Sequence, residues 1–252
     1  MEDRMCVIED LGKYIENPKL EGFLFLAVFD GHQGFHCSQF LQTYIPYIFS
    51  ECAEENFDEE QIKCGLEELD QAYLAKCEIE GYTCGSTALV AIISKSKLYS
   101  AWLGDCEAHL IEEEFKSVLP VVKPHKLSDP EERKLLEAKG SNVVFVESSQ
   151  MYRLNAQLAV SRSIGDIFHK NQMIREPSTK QVDNLENYRY LVMACDGIFD
   201  VIRGEELSEI LNSNSLDVNS NIAEYIVKLS IARKSGDNLS AIVLNLNKYM
   251  KS

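Results

Sequence analysis

The sequence predicts an α+β domain: layered, largely antiparallel β-sheets with helices packed on them. Three observations carry this. Two unbroken apolar runs, Phe23 to Phe29 and Tyr190 to Cys195, have the length of strands buried on both faces. Strand-like stretches cluster between residues 86 and 111, joined by tight polar turns, instead of alternating one by one with helices. Hydrophobic residues make up 45% of the 252, enough for a sizeable core. No repeat, low-complexity tract or linker divides the chain, so residues 1–252 are expected to form one domain.

The elements follow in order. Cys6-Val7-Ile8 is a short strand candidate, and Asp10 to Gly22, polar and containing Pro18, reads as a loop. Phe23 to Phe29 is the first strong strand, after which Gly31 allows a sharp turn. A helix is expected over Cys37 to Phe49, interrupted near Pro46. Asp58 to Cys77 is the clearest helix. Ile62, Leu66, Leu69 and Tyr73 share one face, and Asp58, Glu59 and Glu60 open the first turn. Ser86 to Ile93, Lys97 to Leu103 and Glu107 to Ile111 read as three strands. Asp129 is an N-cap with Pro130 at the first helical position, and Gly140 is a fitting stop. Val143 to Val146 and Gln157 to Val160 are strand candidates; Asp166 to Asn187 reads as a polar surface excursion. Tyr188 to Cys195 is the second strong strand. Glu205 to Leu211 and Val218 to Arg233 look helical, and Leu239 to Leu246 closes as a strand.

Composition excludes several classes of function. A net charge of -15 disfavours non-specific binding to nucleic acid or an anionic membrane and suits the recruitment of divalent cations. None of the eight cysteines forms a C-x-x-C pair, which argues against a zinc knuckle. None precedes an Arg at the interval a cysteine-based phosphatase loop needs. Met1-Glu2-Asp3-Arg4 lacks a signal-peptide core, and no apolar run is long enough to span a bilayer. The expectation is a cytoplasmic or nuclear protein.

Four acidic stations border apolar strands: Glu2-Asp3, Asp30-Gly31-His32, Asp196-Gly197 and Gly236-Asp237-Asn238. Clustered carboxylates repel one another unless a cation sits among them. Hard oxygen ligands suit Mg²⁺ or Mn²⁺, and a pair of such ions activates water and polarises a phosphoryl oxygen. The reaction class read from these residues is metal-assisted hydrolysis, above all of a phosphate ester.

A set of motifs then appears in a familiar order. It runs from Met1-Glu2-Asp3 through Val28-Phe29-Asp30-Gly31-His32-Gln33-Gly34, Gly85-Ser86-Thr87-Ala88 and Trp102-Leu103-Gly104-Asp105. It continues through Leu158-Ala159-Val160-Ser161-Arg162-Ser163-Ile164-Gly165-Asp166, Ala194-Cys195-Asp196-Gly197-Ile198-Phe199-Asp200-Val201 and Ser235-Gly236-Asp237-Asn238. In this the chain resembles the metal-dependent protein serine/threonine phosphatases of type 2C, over nearly its whole length. The resemblance implies a four-layer α-β-β-α sandwich with two antiparallel sheets and a metal pair in a cleft at one end. It implies that Asp30 bridges two Mg²⁺ or Mn²⁺ ions, with the Gly31 carbonyl, and that Glu2 serves one ion. Asp3 belongs to the same motif. Asp196 and Asp237 would serve the other ion, and Asp105 and Asp200 a weaker third. His32 would act as general acid. The implied partners are phosphoproteins carrying phosphoserine or phosphothreonine.

Against the family pattern, the strand that normally precedes Met-Glu-Asp does not appear, nor does its phosphate-binding Arg. Arg4, Arg153 or Arg162 are the candidates to replace it; Arg162 lies in a family motif and has an equal structural reading. Gln33 stands where Gly or Ala is common, Cys106-Glu107 replaces Ser-Arg, and Ala156 replaces a common Gly. Asp105 and Asp200 also read as turn or cap residues. His36, His109, His125 and His169 show no ligand spacing. Two rival functions stay open: a pseudophosphatase that binds without turnover, and a phosphatase with an aspartyl nucleophile, which needs a second Asp that Asp196-Gly197-Ile198 lacks.

Overall fold

The computed structural model describes residues 1–49, 59–94, 96–212 and 221–251. Its central strand, Leu24–Phe29, is buried at all six positions because alternate side chains feed two different cores. Leu24, Leu26 and Val28 face Leu110, Leu191 and Met193 in one core; Phe25, Ala27 and Phe29 face Leu41, Leu66 and Tyr73 in the other. Withdrawing a side chain such as Phe25 from water stabilises the fold by roughly 2–3 kcal/mol.

The first sheet has five strands in the order Arg4–Ile8, Leu24–Phe29, Ala88–Ser94, Lys97–Leu103, Ser178–Val182. The second runs Ala241–Asn245, Tyr188–Ala194, Glu107–Glu112, Val118–Pro120. Every pairing in both is antiparallel. Helices His36–Tyr44 and Glu59–Glu80 cover the outer face of the first sheet, and Leu207–Asn212 and Ile222–Ala232 pack on the second. The result is the expected α+β arrangement of helix, sheet, sheet and helix. No helix among the described residues is long and apolar enough to cross a membrane.

Three expectations are corrected. The stretch Asp10 to Gly22 is not a plain loop: Asp10 caps a short helix, Leu11–Tyr14, and Asn17 caps a 3-10 turn, Pro18–Leu20. Leu11 and Leu20 are fully buried and anchor both turns. Gln157 to Val160 is not a strand. The strand is Met151–Leu154, paired with Val143–Val146. Asn155 and Ala156 then turn the chain back at φ 51° and 59°, left-handed values that neither residue advertises as Gly would. Ala156 therefore occupies a conformation in which Gly is the easier residue. Finally, the supposed excursion from Asp166 to Asn187 contains the edge strand Ser178–Val182, whose mostly half-exposed polar residues hide it from a search for apolar runs. The predicted positions Asp58 and 218–220 lie outside the described residues. Near Pro46 the helix does change character, to a 3-10 segment over Ile45–Phe49.

Residues 127 to 174 build a third, smaller core from Leu127, Leu136, Leu154, Leu158, Val160, Met173 and Ile174. Arg162 ties it together. Its Nε and Nη2 donate to Glu132 Oε1 and Oε2 at 2.6 and 2.9 Å, and its Nη1 donates to the Glu176 carbonyl at 2.9 Å. Glu132 is itself nearly buried, at 6% exposure, so removing its partner strands a charge. Arg162→Ala should lower stability in urea unfolding by about 3 kcal/mol, and Glu132→Gln added to it should recover part of the loss. A change under about 0.5 kcal/mol would show the pair to be dispensable.

Candidate metal centre

The two strongest strands, one in each sheet, end side by side and deliver Asp30 and Asp196 to the same edge. Asp30 is fixed by its backbone. Its N–H donates to Thr87 Oγ1 at 3.0 Å, and its carbonyl accepts from the Thr87 N–H and the Ser86 hydroxyl at 2.8 and 3.1 Å. The short strand Gly85–Ser86, with Thr87 after it, is thus the clamp on the central carboxylate.

Glu2 is tied to three parts of the fold. Its N–H donates to Asn238 Oδ1 at 2.7 Å, its Oε1 accepts from the Gly34 N–H at 2.5 Å, and its carbonyl accepts from Ser38 Oγ at 2.5 Å. Gly31 lies so close that a Cβ there would sit 2.6 Å from the Glu2 carbonyl oxygen, so only glycine fits. The loop carrying Asp237 is held by Ser235, whose hydroxyl donates to the Gly197 carbonyl at 2.7 Å. Gln33 completes the turn at φ 58°, a left-handed strain of about 1 kcal/mol beside the site.

These anchors bring Glu2, Asp30, Gly31, His32, Asp105, Asp196 and Asp237 into the wall of one cavity of about 250 Å³. Asp3 lies behind it, 4% exposed and facing Asp30, Cys195 and Ser240, yet neither of its oxygens accepts a hydrogen bond of normal geometry. Asp105, 8% exposed, also keeps one oxygen unpartnered. Asp200 is outside the wall, one helical turn beyond Asp196, whose carbonyl accepts its N–H at 2.7 Å. Arg162 is not in the cavity at all. Its guanidinium is spent on Glu132 and Glu176, which corrects its assignment to substrate binding. Arg153, from the Met151–Leu154 strand, is the only Lys or Arg in the cavity wall among the described residues; it also donates to the Gln157 carbonyl at 3.1 Å.

The electrostatics are those of a cluster short of positive charge. Burial, then the Asp196 carboxylate, with Asp3 and Asp105 behind, pushes Asp30 up to about 11. Burial and then Asp196 push Asp105 to about 7. Asp3, Asp196 and Asp200 are raised too, by burial first in each case. Lys126 offsets little of this, since it is paired with Glu107 at 3.0 Å. Such a set of buried oxygens has the chemistry to accept a hard divalent cation.

His32 points its Nε2 at Asp166 Oδ2, 2.8 Å away, and the same oxygen accepts from Ser163 Oγ at 2.5 Å. Burial alone would disfavour the charged ring, but Asp166, 1% exposed, outweighs it and raises the pKa of His32. Asp166 is the residue of the candidate site to which reading the sequence gave no role. Its signal was present, since it closes the motif from Leu158 to Asp166. His109 and His125 are structural, bonded to Glu107 and to Gly104 and Ser178, and His36 stacks between Phe35 and Tyr82. A larger groove of about 560 Å³ lies elsewhere, but its Asp70 and Arg175 are already paired at 2.5 Å.

With that geometry in hand, comparison with known proteins is decisive. The family model described as protein phosphatase 2C matches residues 1–239. Rat protein phosphatase 1F is 32% identical over 228 residues, covering 88% of this chain and 49% of its own. The solved structure of a sex-determining protein of Caenorhabditis elegans superposes with a TM-score of 0.87 at 25% identity, over 99% of this chain and 63% of that one. A serine-threonine phosphatase 2C from Toxoplasma gondii shares the fold with a TM-score of 0.82 at 18% identity, over 96% and 89%. The chain spans about half the length of the curated relatives it matches. This chain belongs to the protein phosphatase 2C family.

Proposed function

We propose that this chain hydrolyses phosphoserine and phosphothreonine in proteins with the help of bound Mg²⁺ or Mn²⁺. The observation that carries the reading is the convergence of Glu2, Asp30, Asp196 and Asp237 on one cavity whose carboxylates lack compensating charge. The donors fit: they are hard oxygens, and two buried side chains, Asp3 and Asp105, keep oxygens without a partner. Asp30 would serve both ions, with the Gly31 carbonyl as a further donor, Glu2 one and Asp196 with Asp237 the other; Asp105 and Asp200 would serve a weaker third. When bound, such ions supply a nucleophile from water at neutral pH and polarise the phosphoryl group.

The chain's own residues do the rest. Arg153 offers the substrate phosphate a planar, fixed pair of donors. Leu158 and Val160, apolar members of the wall, exclude water and so strengthen that contact. Asp166 and Ser163 orient the His32 ring, and the raised pKa keeps on it the proton that a departing serine or threonine alkoxide needs.

Asp30→Asn should cut Mn²⁺-dependent hydrolysis of a phosphopeptide by about a hundredfold or more, with the fold retained by circular dichroism. Near-normal turnover would remove Asp30 from the mechanism. A wild-type chain that binds phosphopeptide and Mn²⁺ without turnover would instead be a pseudophosphatase. Arg153→Ala should raise KM about tenfold with kcat within a few-fold, and Arg153→Lys should restore only part of it. An unchanged KM would return the anchor to another residue.

The metal-free chain should show an inverted pH dependence. Asp30 and Asp105 hold protons in the fold that the unfolded chain has lost above roughly pH 4. Stability should therefore fall as pH rises from there, until about 7 for Asp105 and on into the alkaline range for Asp30. The slope is at most about 1.4 kcal/mol per pH unit for each group. Asp30→Asn or added Mn²⁺ should flatten it in thermal melts, and a slope of the opposite sign would contradict the charge balance described here.

A further inference from the structure

At the far end of the second sheet from the acidic cluster lies a groove of about 500 Å³, lined by Glu113, Arg189, Asn245, Asn247, Lys248 and Lys251. Strand Tyr188–Ala194 joins the two places: it runs into Cys195 and Asp196 at one end, and Arg189 stands about 17 Å of strand before Ala194 at the other. Arg189 is placed by a β-bulge. Tyr188 pairs with Glu112 and Tyr190 with Ile111, so Arg189 is the extra residue with no counterpart on that neighbouring strand. A bulge re-aims the side chain it releases. Here the guanidinium lies 5.0 Å from the Phe115 ring centre and 5.7 Å from that of Tyr190, and this stacking fixes its plane.

The charge of the groove runs against that of the molecule. The chain carries -15 overall, yet three cations meet here beside one carboxylate. Lys97, Lys116, Lys228 and Arg233 each sit beside a carboxylate, whereas Arg189, Lys248 and Lys251 form no ion pair among the described residues. Glu113 is itself held by the Asn247 side-chain amide, which donates to it at 2.6 Å and so leaves the Asn247 carbonyl as an acceptor. Asn245 accepts from the Lys248 N–H at 3.0 Å, which leaves its amide nitrogen as a donor. One donor and one acceptor match a peptide group, and Arg189 with the two lysines matches carboxylate side chains. An ionised phosphate offers acceptors only and leaves the Asn247 carbonyl unmatched. We propose that this groove docks an Asp/Glu-rich segment of the phosphoprotein substrate, distant in sequence from the phosphorylated residue. The rest of the acidic surface repels such a segment, so the groove selects where it lands. That the segment belongs to a substrate rests on the phosphatase reading, whereas its binding does not.

Binding is read first, on the whole chain, by fluorescence anisotropy of a dye-labelled Asp/Glu peptide and of its Asn/Gln counterpart. Only the acidic peptide should bind, and more weakly as salt rises. Arg189→Gln, and Lys248→Gln together with Lys251→Gln, should each weaken binding by about tenfold or more. Hydrolysis is then compared for two phosphothreonine peptides, one of them extended by the acidic segment on a flexible spacer of about twelve residues. The extension should lower KM about tenfold with kcat unchanged, and both variants should lose that gain while treating the plain peptide as the parent does. Equal binding of the Asn/Gln peptide, unchanged binding in the variants, or a KM indifferent to the extension in a chain that hydrolyses the plain peptide overturns the proposal. So does binding, through the same cations, of phosphatidylserine vesicles but not of the acidic peptide. A chain that binds the acidic peptide through these cations but hydrolyses neither substrate supports the groove and overturns the phosphatase reading instead. Should Arg189→Gln unfold, the double lysine variant decides, since both of its side chains are exposed.

Discussion

Mutual repulsion among buried carboxylates is the constraint to which the rest of the molecule answers. Asp30 shares its surroundings with Asp196, Asp3 and Asp105, and two like charges 4 Å apart near a protein surface repel by about 4 kcal/mol. A flexible chain would relieve this by moving the groups apart. Here it cannot, because Asp30 is clamped by Ser86 and Thr87 and Glu2 is tied to Gly34, Ser38 and Asn238. Those clamps are rigid because the strands behind them are buried on both faces. The two large cores therefore do more than stabilise the chain. They hold in place an arrangement that costs stability until a cation or a proton enters it.

Positive charge is rationed around the cluster, and each cation has a distinct job. Arg162 binds Glu132 and shapes the small third core; Lys126 is engaged by Glu107; Arg153 reaches the cavity wall. The division leaves an arginine inside a family motif structural, while one outside the obvious motif core lines the cavity. Asp166 shows the same economy. Buried and bonded to Ser163, it gives His32 a fixed orientation and a stabilised charge without adding a carboxylate to the cavity wall.

What the sequence by itself determined is the periodic and the local. Period-two burial of Leu24 to Phe29, the Asp129 cap and the Asp-Gly ends of two apolar strands are properties of neighbouring residues, so they could be read without coordinates. The strand Ser178–Val182 and the turn at Asn155 and Ala156 escaped, since one has no apolar run and the other has left-handed backbone without glycine. Only the tertiary structure decided that Arg162 is spent on Glu132 and that Arg153 lines the cavity, that Asp166 is buried against His32, and that Asp3 is stranded behind Asp30. Each of these is a contact between residues distant in the chain, or a matter of which side chain water can still reach. Both are set by how the layers pack, and no local pattern records them.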